Sequence, residues 1–350
     1  MKRRPKQDPS TERGATLKDV ARSLGVSMMT VSRALSGDTS HVGEKLRERV
    51  RKAAAELGYR PNRWARSLVT RQSGLIGLIV PDISHTFFAE ITRGVQDVVE
   101  PLGYNLLLCS THRDPATEIR EADALLSAHV DGLLIASDQP EDSAQYYRKL
   151  WERGAKFVLI DRFFDKLACP HVSTDDFLAG KLVTEHLIQL GHRAIAHVRG
   201  PGIRPARKRF EGYCAALEEH RIRIRKEWVA NGNFRVADSR EAARFLMCLH
   251  ERPTAIVAGN DTSAFGVIRG CREAGLRVPE DVSVTGVGNV EGDDHPNPFL
   301  TTVHWDRLEM GREAARILVA ALRDQSPPAP LRDTFPPALL IRKSSAPPAP

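Results

Sequence analysis

Between residues 74 and 304, short apolar runs rich in branched side chains alternate with stretches of helical periodicity, and this alternation limits the possible folds more than any other feature. The runs are LIGLIV (75–80), YNLLLC (104–109), DGLLIA (131–136) and KFVLI (156–160), then AIAHV (194–198), EWVANG (227–232), TAIVAG (254–259) and VSVTGV (282–287). Helical patterns fall at about 87–101, 115–128 and 141–152, and again at about 177–190, 206–220, 238–250 and 260–274. Strands that are apolar along their whole length are covered on both faces, which parallel sheets flanked by helices provide. Two such series predict two similar α/β subdomains, with a ligand at the carboxyl ends of the strands between them. No run reaches the roughly 18 apolar residues of a membrane span, so no membrane partner is expected.

The head of the chain is different. Residues 1–71 carry 17 Lys and Arg against 7 Asp and Glu, whereas the remaining 279 carry 34 against 37. A basic module on a near-neutral body points to a polyanion, most simply nucleic acid. Residues 1–15 read as a disordered basic tail; beyond them the cations are interleaved with apolar residues at helical spacing. The opening basic residues have no apolar run behind them, so a secretory signal is not expected. Cys109, Cys169, Cys214, Cys248 and Cys271 form no CxxC pair, which fits small buried residues in a reducing cytoplasm better than a disulfide framework or a zinc site.

TLKD (16–19) has the form of a capped helix start, a hydroxyl at the cap and an acid three residues on. Leu17, Val20, Ala21 and Leu24 then share one face, and Gly25 closes the helix with a tight turn. Ser27 caps a second helix in which Val31, Ala34 and Leu35 face inward, leaving Met28, Met29, Ser32 and Arg33 outward. A third helix is predicted from Glu44 to Leu57, with Val50, Ala53, Ala54 and Leu57 inward and Gly58 ending it. Two short helices joined by a glycine turn make a helix-turn-helix, whose second helix enters the DNA major groove. There Arg33 can bind guanine bidentately, and a methionine can cover a thymine methyl. Met28 and Met29 packing back on the fold is the alternative.

Beyond Gly58, Pro61 breaks the helix and Asn62 can cap another, but RWARSLV is only about two turns long and marginal alone. It is expected to order on DNA beside a twin, leaving Leu68 free to wedge between base steps of the minor groove; an ordinary polar linker is the competing reading. TLKDVARSLGVSMMTVSRALSG, AAAELGYRPNRWARSL and LIGLIVPDISHTFFAEI together resemble the lactose-repressor (LacI/GalR) family of transcriptional regulators, over about residues 16–345. In that family the second helix reads the major groove and a paired hinge helix places a leucine in the minor groove. The resemblance and the residue pattern make Thr16, Ser27, Met28, Met29, Thr30, Ser32, Arg33, Asn62, Ala65, Arg66 and Leu68 the candidate DNA-contacting set. Met28 and Met29 stand at the variable reading positions, so no operator sequence carries over.

The implied architecture is an all-α helix-turn-helix domain (16–60) and a hinge (61–73), followed by a two-subdomain α/β core like that of the periplasmic binding proteins (74–345). Three crossings between subdomains would give an N-subdomain of about 74–162 and 305–324 and a C-subdomain of about 163–304 and 325–345. Family matches in the strand-end loops supply candidate effector-binding residues: Phe87, Phe88, Asp161, Arg162, Arg209, Phe234, Asn260 and Asp261. Bidentate polar groups alternating with aromatic faces suit a polyol. Taken singly, Phe87 or Phe88 reads equally as core, and Asp161 with Arg162 as an interdomain ion pair.

Two departures from the family matter. Gly288 stands where an aspartate is usual, and the segment after Gly200 carries Arg204, Arg207, Lys208 and Arg209, with Arg199 just before it. A lost carboxylate beside added cations suggests an anionic effector, a sugar acid or sugar phosphate; the alternative is that these cations point to water. GVGNVEG (286–292) lies too late in the chain, without a following helix pattern, to be a dinucleotide loop. No metal site or cofactor is expected; His186 and His192 are expected to be solvated. No catalytic constellation is present, so an enzyme on this scaffold is disfavoured, as is a transporter's solute-binding protein, which would lack the basic head. The expected protein is a cytoplasmic, nucleoid-associated homodimer on a pseudo-palindromic operator, a repressor whose DNA affinity is modulated by a sugar or sugar acid. The tail SSAPPAP has no leucine heptad, favouring a dimer over a tail-tethered tetramer.

Overall fold

The computed structural model describes residues 15–36, 42–59, 72–140, 143–291, 297–323 and 332–349. The chain divides after Ser73 into two compact units.

The first unit holds α1 (Leu17–Leu24), α2 (Met28–Ser36) and α3 (Glu44–Glu56). Thr16 and Asp19 close a reciprocal capping box at the start of α1. At its end Gly25 adopts φ 64°, and Val26 N–H returns 3.1 Å to the Ala21 carbonyl. That left-handed turn is cheap only for glycine, and it redirects the chain into α2 within two residues. Val20, Ala21, Val31, Ala34, Val50, Ala53 and Ala54 meet in the core, with Leu17, Leu24, Leu35 and Tyr59 at its edge. The inward placement expected for Leu57 is wrong: it is 42% exposed. Leu57 caps α3, and the turn at Gly58 brings Tyr59 back instead, its N–H 2.8 Å from the Ala54 carbonyl.

The second unit contains two parallel sheets. In chain order its elements are β1 (Leu75–Val80), α4 (Thr86–Val99), β2 (Asn105–Ser110), α5 (Pro115–Ser127), β3 (Gly132–Ile135), α6 (Gln145–Glu152), β4 (Phe157–Ile160) and β5 (His171–Thr174). Then follow α7 (Asp176–Gln189), β6 (Ile195–Arg199), α8 (Arg204–Glu219), β7 (Val229–Asn231), α9 (Val236–Met247), β8 (Ala255–Ala258), α10 (Asp261–Glu273) and β9 (Ser283–Thr285). The chain closes with β10 (Thr302–His304), α11 (Arg307–Leu322), β11 (Arg332–Phe335) and β12 (Ala338–Leu340).

One sheet runs β11-β5-β4-β3-β1-β2 and the other β7-β6-β8-β9, while β10 and β12 form a separate antiparallel pair. Each sheet with its helices is one lobe. Helix α11 packs on α4 of the first lobe, as the expected return after residue 305 requires. The subdomain limits expected at 163 and 325 need correction. Strand β5 belongs to the first sheet, so the chain first leaves that lobe after Thr174, and β11 lies in the same sheet, so it leaves finally after Phe335. HVST and RDTF carry no apolar run to betray them; they join the sheet edge through backbone pairing. In the second lobe α7 and α8 touch through their backbones, because a Cβ on Gly180 would stand 2.1 Å from the Arg209 carbonyl oxygen.

The expected solvated histidines are buried. His192 bonds Thr254 at 2.8 Å, Ser283 at 3.1 Å and the Ala346 carbonyl at 2.9 Å, and His186 meets Ser345 at 2.9 Å. The C-terminal segment is thereby fastened to the second lobe, with the Ser344 N–H 3.0 Å from the Phe299 carbonyl. Cys169 and Cys271 are buried as expected, whereas Cys248 is exposed. No helix among the described residues is long and apolar enough to cross a membrane.

Candidate functional site

On the first unit, the face of α2 away from the core is formed by Met28, Met29, Ser32 and Arg33. The methionines are 51% and 62% exposed, so neither packs back on the fold. Ser27 accepts the Thr30 N–H at 3.1 Å and shares a 2.8 Å hydrogen bond with the Thr30 hydroxyl, which fixes the first turn of α2. Thr16 is exposed but engaged in the capping box, its hydroxyl 2.6 Å from Asp19. Soft apolar groups beside a guanidinium on a helix N-terminal turn can meet base edges: methyls on one side, guanine acceptors on the other. Asn62, Ala65, Arg66 and Leu68 lie outside the described residues.

On the second unit, a cavity opens between the lobes at the carboxyl ends of their strands, enclosing about 510 Å³ of atom-free space, part of it open solvent. Phe87, Phe88, Asp161, Arg162, Arg209, Phe234 and Asn260 all line it, brought together from loops and helix starts of both lobes. Asp261 does not line it. It is buried beneath the loop after β9, accepting the Thr302 hydroxyl at 2.6 Å and the Val290 N–H at 2.7 Å. Burial pushes its carboxyl up to about 6, against the pull of those two donors.

Three of the cavity's aromatic rings meet one another. Phe87 meets Phe88 edge-on with ring centroids 4.9 Å apart, and Trp305 meets Phe87 at 5.9 Å. Phe234 follows β7 with φ 56°, a left-handed conformation that seats its ring against Gly200. Such faces cover the apolar side of a ring-shaped ligand.

The polar groups are held from behind. Asp161, at φ 66°, is buried with Oδ1 unpartnered and Oδ2 3.8 Å from the Arg162 guanidinium. Burial raises its carboxyl to about 6, partly offset by Arg162. Arg162 is itself paired with Asp138 and donates to the Ser137 carbonyl at 3.0 Å, so its ion pairs stay within its own lobe. Arg209 donates to Asp176 at 2.9 Å and to the Gly259 carbonyl at 3.0 Å. Asn260 caps α10 through its oxygen, 2.8 Å from Ser263 N–H, which leaves its amide nitrogen to donate.

Sequence reasoning missed His85, Arg113, Pro205, Val287, Val290 and Trp305 among the lining residues. Of these, Arg113 follows β2, a strand end that position alone could have marked. His85 caps α4 through Nδ1 and reaches across the cleft to Thr262, Nε2 to Oγ1 3.2 Å. Burial, aided by the Arg113 charge, lowers its pKa; the neutral ring then accepts at Nδ1 and donates at Nε2. A second cross-lobe tie is Arg307 at the start of α11, paired with Glu90 at 2.8 Å and donating to the Gly288 and Asn289 carbonyls.

The cation-rich segment after Gly200 does not converge on the cavity as expected. Arg204 is 3.2 Å from Asp165, Arg207 3.1 Å from Glu211, and Lys208 2.7 Å from Glu211. Arg199 stacks on Phe210 with 4.3 Å to the ring centroid. These cations neither point idly to water nor offer charge to a ligand; Arg209 alone of the segment's cations lines the cavity.

Two family descriptions match consecutive parts of the chain: "Bacterial regulatory proteins, lacI family" over residues 16–62, and "Periplasmic binding proteins and sugar binding domain of LacI family" over residues 73–332. This protein belongs to the LacI family. Its LacI-family relatives include a ribose operon repressor of Halalkalibacterium halodurans, 32% identical over 94% of this chain and 97% of the relative. The transcriptional repressor PurR of Haemophilus influenzae is 35% identical over 94% and 98% of the two chains. Among solved structures, the Lac repressor dimer bound to operator and the anti-inducer ONPF superposes with a TM-score of 0.84, at 28% identity over 95% of this chain and all of that one. The LacI-family chain is thus a DNA-binding transcriptional regulator with a helix-turn-helix head and a ligand-binding body, not an enzyme or a transporter's receptor.

Proposed function

We propose that this regulator is a homodimeric repressor whose operator affinity is set by a small sugar-like molecule, a sugar or a sugar acid, held in the interlobe cleft. The observation that carries this reading is the cleft itself. Aromatic faces from Phe87, Phe88, Phe234 and Trp305 alternate there with Asp161, Arg162, Arg209 and Asn260, the arrangement a polyhydroxylated ring requires. The ribose operon repressor relative and the operator-bound Lac repressor dimer support the effector class, the dimer and the pseudo-palindromic site. Met28, Met29, Ser32 and Arg33 read each half-site, with Ser27 and Thr30 ordering the helix start. The protein acts in the cytoplasm and joins the nucleoid when bound to its operator.

Because His85–Thr262 and the bonds from Arg307 to the Gly288 and Asn289 carbonyls cross between lobes, a ligand that prefers one closure angle shifts the protein between two arrangements. The coupling to DNA should be on the order of 1–3 kcal/mol and reciprocal. Operator selection from random duplexes, followed by anisotropy titrations with and without a sugar panel, tests it. A ligand that binds the cleft and leaves operator affinity unchanged refutes the coupling; no preference for any duplex over random DNA refutes the reading entirely.

A further inference from the structure

We propose that Arg113 seats an oxyanion of the effector, so that the cleft takes a polyhydroxylated acid or phosphate in preference to its neutral counterpart. This rests on the cleft being the effector site, as argued above, and names the ligand chemistry that site selects.

Three guanidiniums line the cavity, those of Arg113, Arg162 and Arg209. The carboxylates in and behind its walls each lie beside another guanidinium. Asp138 pairs with Arg162, Asp161 stands 3.8 Å from Arg162, and Asp176 is 2.9 Å from Arg209 with its other oxygen 4.0 Å from Arg204. The neighbouring Arg307 has Glu90 at 2.8 Å. Arg113 makes no salt bridge with a described carboxylate. The acid that feels its field is Asp82, whose Oδ1 already takes the Ser84 N–H at 2.9 Å and hydroxyl at 2.7 Å. Its other neighbour is His85, held neutral. A half-buried cation without a counter-ion is costly, and a bound anion would supply what the protein omits.

The backbone beneath Arg113 is held in a set conformation. His112 and Arg113 adopt φ 53° and 61°, two consecutive left-handed residues without glycine. The Arg113 N–H is 3.1 Å from the Pro81 carbonyl, and Asp114 immediately caps α5, 3.0 Å from Thr117 N–H. The backbone thus spends strain to hold this side chain at the cavity rather than along the helix. The same lining offers two further unmet groups, the buried Asp161 Oδ1 and the buried Trp305 indole N–H. A hydroxyl can donate to the first and a ring or hydroxyl oxygen can accept from the second. The complementary ligand therefore carries hydroxyls and one anionic group.

The test is calorimetry on the full chain with matched pairs: galactose and galacturonate, glucose with gluconate and glucose 6-phosphate, ribose and ribose 5-phosphate. The expected result is that an anionic member binds at least about tenfold tighter than its neutral partner, a preference that falls with added salt. Arg113→Gln should bring the pair within about twofold at unchanged melting temperature of the ligand-free protein, and Arg113→Lys should restore part of the difference. Preference for the uronate or aldonate identifies a carboxylate as the group seated, and preference for the phosphate ester identifies a phosphate. Neutral sugars binding as tightly as their anions, or a preference that survives Arg113→Gln, overturns the role of Arg113 and leaves the sugar reading standing. No binding by any member overturns the sugar-like effector reading and this inference with it.

Discussion

Gly180→Ala tests how the fold delivers a key guanidinium to the cleft. Helices α7 and α8 approach so closely that a methyl on Gly180 would lie 2.1 Å from the carbonyl oxygen of Arg209, at least about 1 Å short of any ordinary contact. The struck group is backbone, so it cannot rotate away, and α8 must retreat. Arg209 holds Asp176, the first residue of α7, at 2.9 Å. A retreat of about 1 Å stretches that bond past hydrogen-bond range. Overpacking costs about 1–3 kcal/mol, and losing a charged hydrogen bond about 1.5–3 kcal/mol more, so the variant should be destabilised by about 2.5–6 kcal/mol. Effector affinity should fall with it, because Arg209 no longer stands where it did. Urea denaturation with an unchanged m value reads the first effect, and calorimetry at a temperature where the variant is folded reads the second. Gly202→Ala, at a position with open space around its Cβ, is the control and should cost under about 0.5 kcal/mol. If Gly180→Ala matches that control, or is destabilised with effector affinity intact, the helix contact does not position Arg209.

Other outcomes follow from the same geometry. Replacing thymine by uracil at the bases facing Met28 and Met29 should weaken operator binding by about 0.8 kcal/mol per methyl in gel-shift titrations; unchanged affinity at every thymine of the half-site would rule out methyl reading. Thr262→Val removes the 3.2 Å bond to His85 across the cleft and should lower effector affinity about fivefold, seen as faster release in stopped-flow; an unaltered off-rate would show that the bond does not hold the closed form. The pH dependence of Asp261 has a definite sign. Its carboxyl titrates near 6 when folded and near 3.8 when unfolded, so the folded state holds an extra proton between those values, and stability falls as pH rises from about 4 to 6. Asp261→Asn should flatten that part of the wild-type stability curve measured by urea denaturation; parallel curves for the two proteins would remove the assignment.

The elements that were legible in the sequence are those whose signal is local. The capping box of Thr16 and Asp19, the turn at Gly25 and the apolar strands β1, β3, β4 and β8 each follow from a few neighbouring residues. Strand-end loops could be picked out as a ligand site because every parallel strand of an α/β lobe points its carboxyl end the same way. Seven of the predicted effector residues converge on one cavity for that reason; Asp261 does not, because the first residue of α10 turns under the next loop instead of into the cleft. HVST and RDTF were invisible because their place in the sheet depends on pairing with each other, His171 opposite Arg332 far away in the chain, and not on a local apolar run. Leu57 and the two buried histidines were misjudged for the same cause: their surroundings come from a cap geometry and from a C-terminal segment that residue type does not announce.

Composition and spacing thus settled the alternation of strands and helices and the basic head, and the resemblance of three motifs pointed to the family. Those properties repeat over a few residues, and the chemistry of each residue type is enough to reveal them. Charge balance at the cleft was not of that kind. Arg204, Arg207 and Lys208 look like anion ligands on paper and are neutralised by Asp165 and Glu211, while Arg113, unremarked in its loop, keeps its charge at the cavity. Whether a charge is spent inside the protein or left for a ligand depends on which carboxylate lies within about 4 Å, and folding brings such partners together from any distance along the chain.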